Sequence, residues 1–127
     1  MRVLRLRWQT WDMPLQCVIV DDNELFLKVA RATLERQGMA VVGVAGNGTE
    51  ALRQARELGP DVALVDISLG AESGFDVGRQ ITPYVGSVIM ISSQDEDYYA
   101  ELIAASPAVG FLSKARLSAD AIRQLVS

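Results

Sequence analysis

Val62-Ala63-Leu64-Val65-Asp66 is a run of four apolar residues that ends on a single carboxylate. Gly59-Pro60-Asp61 precedes it, and a loop containing Gly70 and Gly74 follows. An unbroken apolar run of this length between turn signals reads as a strand buried on both faces, as in a parallel sheet. Asp66 then falls at the carboxyl end of the strand, where open α/β sheets place their ligands. A lone aspartate there could equally cap the loop. Which reading holds depends on what else reaches the same edge.

The same grammar repeats on either side. Leu15 to Val20 reads as a first strand ending in Asp21-Asp22, and Asn23 as the N-cap of a helix that Gly38 stops. In that helix the pairs Leu25/Phe26, Val29/Ala30 and Thr33/Leu34 recur at helical spacing. Ala40 to Ala45 is a second strand. Asn47 to Glu50 has capping-box spacing and opens a helix with Ala51, Leu52, Ala55 and Leu58 inward, closed by Gly59-Pro60. After the Val62–Asp66 strand, a weaker helix runs from Phe75 to about Tyr84, limited by Pro83. Ser87 to Ile91 is a fourth strand ending in Ser92-Ser93, and Ser93 stands at capping-box spacing from Glu96. Asp95 to Ala105 is expected to form an amphipathic helix, acidic in its first turn. Gly110-Phe111-Leu112 is a short fifth strand leading to Lys114, and Ser118 caps a last helix to Val126. Five β–α units in alternation predict an α/β fold, a parallel sheet covered by helices on both faces with right-handed connections.

Composition bounds the function. The chain of 127 residues is 50% hydrophobic and 22% charged, as expected of one ordinary domain. The lone Cys17 lies in an apolar run, which excludes a disulfide framework and fits a reducing, cytoplasmic setting with the thiol acting as a small hydrophobe. There is no histidine, so Ser/His, Cys/His and histidine-metal chemistry are absent from the sequence. Residues 1–13 carry three arginines against Asp12, a net +2, and so leave −6 of the total −4 on the remainder. An acidic body of that kind is a poor nucleic-acid binder, and no apolar run is long enough for a membrane span. Residues 1–13 (MRVLRLRWQTWDM) fit neither a signal peptide nor the pattern that begins at Pro14, and are set apart as a leader from a domain over 14–127.

In a parallel sheet the strand ends collect. The first delivers Asp21 and Asp22, the third Asp66, the fourth Ser92, and the fifth is followed by Lys114. Three crowded carboxylates repel unless a cation offsets them, and an all-oxygen donor set without histidine or cysteine indicates a hard ion, magnesium rather than a calcium cage. A metal, a lysine and a hydroxyl around one carboxylate suit a phosphoryl group, with Asp66 as the nucleophile that takes it as an aspartyl phosphate. Lysine occurs only twice against ten arginines, so Lys114 suggests that a compact point charge is required. Taken singly, Asp21-Asp22 could favour a helix N-terminus, Ser92 could be a turn residue and Lys114 a solvated surface lysine.

The order Asp21-Asp22, Asp66, Ser92, Lys114 resembles the receiver domain of bacterial two-component response regulators. The resemblance covers about Leu15 to Val126 and rests on Val20-Asp21-Asp22-Asn23, Leu64-Val65-Asp66-Ile67-Ser68-Leu69 with Gly74, Ile91-Ser92-Ser93, and Gly110 to Lys114. It implies a flavodoxin-like, doubly wound five-stranded sheet of order 2-1-3-4-5 with five helices. It further implies Asp66 as phospho-acceptor, and Mg2+ held by Asp21, Asp22, Asp66 and the Ser68 carbonyl. Ser92 and Lys114 match the phosphate-contacting pair, Ser92 and Phe111 the switch, and Ser68 and Gln94 the positions that tune phosphate lifetime. The implied donor is a histidine kinase or phosphotransfer protein, acting in trans because this chain has no histidine. The implied role is signalling rather than enzymatic turnover, with a face carrying Tyr98, Tyr99, Leu102 and Phe111 open to an effector or a second copy. Gly70 and Ala115 stand where the family usually has proline, which is expected to loosen both loops.

Three other readings are weighed beside this one. A receiver-like interaction module without phosphorylation fits the fold but leaves the acidic set without a use. An aspartate-nucleophile phosphatase would place two acids two residues apart, whereas Asp21 is followed directly by Asp22, then Asn23 and Glu24. The chain as the N-terminal piece of a DNA-binding transcriptional regulator fits the texture of Asp95 to Lys114.

Overall fold

A computed structural model describes residues 14–126, so the expected leader over residues 1–13 lies outside the described residues. Five parallel strands form the sheet: β1 (Gln16–Val20), β2 (Ala40–Ala45), β3 (Val62–Asp66), β4 (Ser87–Ser92) and β5 (Gly110–Ser113). Their spatial order is β2-β1-β3-β4-β5, the doubly wound order expected. Five α-helices connect and follow them: α1 (Glu24–Arg36), α2 (Gly48–Leu58), α3 (Gly74–Ile81), α4 (Ala100–Ala104) and α5 (Ala119–Val126).

The strands are apolar throughout because both of their faces are covered. Val18, Val20, Ala63, Val65, Val88 and Met90 face one core, which Ala51 and Ala55 of α2 and Phe75, Val77 and Ile81 of α3 complete. The intervening residues Cys17, Ile19, Val62, Leu64, Ile89 and Ile91 face the other core with Leu27, Ala30 and Leu34 of α1 and Ala119 and Ile122 of α5. The period-two alternation of a strand therefore divides one apolar run between two layers.

Local chemistry sets the helix starts. Asn23 accepts from the Phe26 N–H (3.0 Å), Asn47 from Glu50 (2.9 Å), Ser73 from Phe75 (3.2 Å) and Ser118 from Ala121 (3.1 Å), each occupying a donor that the helix itself leaves free. Gly59, with φ of 50°, closes α2 in the left-handed conformation.

The structure corrects the sequence reading in five places. On α1 the inward stripe is Leu27, Ala30 and Leu34, while Leu25 and Val29 are 71% and 56% exposed. The pairs at 25/26 and 29/30 straddle the edge of the apolar stripe, so one member of each falls outside. Leu58, expected inward, is exposed at the last turn of α2. The Asp95–Ala105 segment is a 3-10 turn at Glu96–Tyr99 followed by the short α4, and none of its residues is fully buried. Too little apolar surface packs beneath it to draw out a regular helix. Ser93 makes no cap there, because Asp95 occupies the cap position without a side-chain hydrogen bond. Last, the loop after β3 is ordered into a small antiparallel hairpin, Ser68–Leu69 against Glu72–Ser73. Gly70 has φ of 62°, and no non-glycine residue among those described has positive φ, the pattern of a type II′ turn. Proline, fixed near −65°, could not occupy that position. Gly70, which stands where proline was expected, makes the turn of this hairpin.

Candidate functional site

The candidate site lies at the carboxyl edge of β1, β3, β4 and β5. The register places it there: Val20 pairs with Val65, Asp66 with Ile91 and Ser92 with Ser113, so the residues that follow these strands emerge side by side. Asp21 is fully buried, Asp66 and Ser92 nearly so, and Asp22 is exposed. Carboxylate oxygens of Asp21, Asp22 and Asp66 lie within 4.8 Å of one another.

Lys114 bridges the two buried acids. Its Nζ lies 2.6 Å from Asp21 Oδ2 and 3.0 Å from Asp66 Oδ2. Asp21 Oδ1 accepts from the Asn23 N–H (2.9 Å), and Asp66 Oδ1 from the Ser68 N–H (3.1 Å). Asp21 Oδ2 is buried and has the close Lys114 ammonium as its partner. Ser92 Oγ accepts from the Gln94 N–H (3.0 Å), so the turn role and a place at the site belong to the same serine.

The electrostatics follow from burial and crowding. Burial pushes the Asp66 carboxyl above its ordinary value, and the charge on Asp21 adds to this. The Lys114 ammonium and the Ser68 N–H pull the other way without cancelling it. Burial works against the Lys114 ammonium too, but its contacts with Asp21 and Asp66 outweigh that and raise its pKa. The result is a pocket with one cation among three carboxylates. An all-oxygen donor set with more carboxylates than cations fits a hard divalent ion.

Two glycines and a glutamate shape the loop around Asp66. Gly74 donates to the Ile67 carbonyl (2.7 Å), and its Cα lies so close to the Asp66 backbone that a Cβ would overlap the Asp66 carbonyl oxygen. Glu72 accepts from the Gly48 N–H at the start of α2 (3.0 Å), tying the hairpin to the neighbouring helix. The hairpin and the Glu72 tie were not evident beforehand; Leu69-Gly70-Ala71-Glu72 is the only local signal that could have shown the turn.

The remaining expected residues are distributed as follows. Phe111 pairs with Met90 on β5 and is half-buried against the core on the α2–α3 side. Tyr98 and Leu102 are 72% and 56% exposed. Tyr99 is half-buried, its ring 6.4 Å from that of Phe75 on the core side and 4.7 Å from that of Tyr98 on the outer side. Among the described residues no helix is long and apolar enough to cross a membrane.

The family model for the response regulator receiver domain matches residues 17–127. The transcriptional regulatory protein LiaR of Bacillus subtilis is 34% identical over 116 residues, which are 86% of this chain and 54% of LiaR. The response regulator GacA of Pseudomonas viridiflava is 28% identical over 87% of this chain and 53% of its own length. The chain thus spans about half the length of the curated relatives it matches. Among solved structures, the signal receiver domain of a modulated diguanylate cyclase from Desulfovibrio desulfuricans superposes with a TM-score of 0.72 at 34% identity, covering 89% of this chain and 90% of that one.

Proposed function

The chain belongs to the response regulator receiver domain family, a phospho-accepting module of two-component signalling, and from that premise we propose that Asp66 is the residue that accepts its phosphoryl group. The observation that carries this is Lys114, held within 3.0 Å of Asp66 in a pocket where three carboxylates converge. Asp66 ends the central strand, is nearly buried, and keeps one oxygen on a backbone N–H and the other on the ammonium. A carboxylate so fixed is aimed rather than free to rotate, which favours in-line attack.

The donor is the phosphohistidine of a separate histidine kinase or phosphotransfer protein. An Asp66 oxygen attacks phosphorus, the P–O bond forms as the P–N bond breaks, and the imidazole leaves with the electron pair and takes up a proton. Lys114 and Ser92 contact the oxygens of the transferred group, Lys114 as a point charge and Ser92 through its hydroxyl. Asp21, Asp22, Asp66 and the Ser68 carbonyl would hold Mg2+, which would supply positive charge to offset that of the phosphoryl group. Ser68 and Gln94 flank the group and set how long it lasts. Phosphorylation shifts an existing equilibrium in which Ser92 turns from the Gln94 N–H toward the phosphoryl group and Phe111 moves inward. The exposed Tyr98 and Leu102 then present a changed surface to an effector or a second copy. The chain acts in the cytoplasm, as a signal store rather than an enzyme, and does not itself bind nucleic acid.

The test is incubation with Mg2+ and acetyl phosphate followed by intact mass. An acid-labile phosphate adduct that is absent in Asp66→Asn is expected. No adduct, or one that survives in Asp66→Asn, overturns the assignment. The match to one half of a relative named as a transcriptional regulatory protein favours transcription as the output of the whole protein.

A further inference from the structure

Phe26 is outside the reacting set, yet its ring forms a wall of the Lys114 seat. Lys114 Nζ lies 4.4 Å from the centroid of the Phe26 ring while it holds Asp21 and Asp66. An ammonium has three donors, and the two carboxylates engage two of them. The face of the aromatic ring carries the negative end of its quadrupole and attracts a cation at this distance, more strongly where water is excluded. Lys114 is largely withdrawn from solvent and Phe26 half-buried, so the contact is partly desolvated.

The ring is placed by the same turn that places the acid. The Asn23 N–H donates to Asp21 Oδ1 (2.9 Å), and Asn23 Oδ1 accepts from the Phe26 N–H (3.0 Å). Asp21, Asn23, Phe26 and Lys114 thus close a ring of contacts around the first turn of α1. The ionic partners of Lys114 change during the transfer: the ammonium passes from the Asp66 carboxylate to the oxygens of the incoming phosphoryl group, and a divalent cation draws on Asp21. The aromatic hold depends on neither charge.

We propose that Phe26 is a positioning residue for phosphoryl acceptance: its ring face keeps the Lys114 ammonium at the acceptor while its anionic partners change. The proposal rests on the assignment of Asp66 as acceptor, so its test has an arm that needs no phosphate. Lysine occurs only at positions 28 and 114, so lysine carrying 13C at the ε carbon gives two side-chain resonances, with Lys28 as internal reference. In the wild-type protein the Lys114 ε protons are expected upfield of those of Lys28, through the ring current of Phe26. They should move to the Lys28 position in Phe26→Leu and stay upfield in Phe26→Tyr. With acetyl phosphate and Mg2+, Phe26→Leu is expected to accept phosphate about three- to tenfold more slowly, Phe26→Tyr to regain most of the rate, and Phe26→Leu to have no further effect in a Lys114→Ala background. An unshifted Lys114 signal in the wild type, or a Phe26→Leu effect of equal size with and without Lys114, overturns the proposal. A wild-type chain that takes no phosphate but keeps the shifted signal overturns the Asp66 assignment and leaves the Phe26–Lys114 contact standing.

Discussion

Gly74 packs its Cα against the backbone of Asp66, leaving no room for a side chain at the residue that opens α3. The contact fixes the loop that carries the candidate acceptor by exclusion rather than by attraction. Gly74→Ala must push backbone away from backbone, and such overpacking costs about 3 kcal/mol or more. Gly78 is the matched control, because a Cβ there meets only ordinary contacts with Val88 and Met90. Gly78→Ala should be neutral or stabilise by about 0.5–1 kcal/mol, as expected of alanine within a helix. Urea unfolding midpoints of the two variants test the pair.

Divalent cation should stabilise the folded chain. Three carboxylates within 4.8 Å against one ammonium leave negative charge in excess, which folding must tolerate. At a concentration one hundred times the dissociation constant, Mg2+ is expected to add about 2.7 kcal/mol, and EDTA to remove it. Asp22→Asn lessens the crowding, so it should unfold no more readily than wild type without metal while losing most of the gain with it. Thermal unfolding followed by circular dichroism, with and without Mg2+, reads both. An equal Mg2+ gain in the variant would show that Asp22 is not a ligand.

Cys17 should make the protein weaken as pH rises. Burial pushes its thiol from 9.0 up to about 12. The unfolded chain therefore releases this proton near 9.0 while the folded chain keeps it to about 12. Between those values the unfolded state binds fewer protons, so this contribution is fully present below pH 9 and falls as pH rises through the window. The loss approaches about 1.4 kcal/mol per pH unit. Cys17→Ala should flatten the slope between about pH 9 and 10, before Lys114, also raised, begins to add its own loss in the same direction. At pH 8 the native thiol should resist iodoacetamide and become reactive only on unfolding.

The corrected face of α1 separates two leucines cleanly. Leu34 is fully buried and Leu34→Ala is expected to cost about 2–5 kcal/mol. Leu25, which the pairing at 25/26 suggested was inward, is 71% exposed, and Leu25→Ala should fall within about 0.5 kcal/mol of wild type. Chemical denaturation of the two variants settles which stripe is buried.

What could be read beforehand follows from how local each signal is. The strands showed as unbroken apolar runs because two cores share each one, and Asp66 stood out because β3 ends on it. Asn23, Asn47 and Ser118 were legible as caps because a cap bonds three residues away. The inward face of α1 was not, because Leu25, Phe26 and Leu27 are adjacent apolar residues and only the sheet beneath decides among them. Nor was the contact of Phe26 with Lys114, which joins positions 88 residues apart. The missing proline at position 70 was noticed but the turn at Gly70 was not, since that turn depends on a φ value that the residue type permits without stating.

The pairing of Lys114 with Asp66 spans 48 residues, and β5, which delivers that lysine, docks at the sheet's edge against β4 alone. A chain folded only as far as β3 holds the three acids and no cation to offset them. Lys114 therefore reaches Asp66 only when the last strand is in place. A chain in which β5 is not yet paired carries Asp66 without its Lys114 contact. The three acids and the cation that offsets two of them thus come together only in the completed sheet.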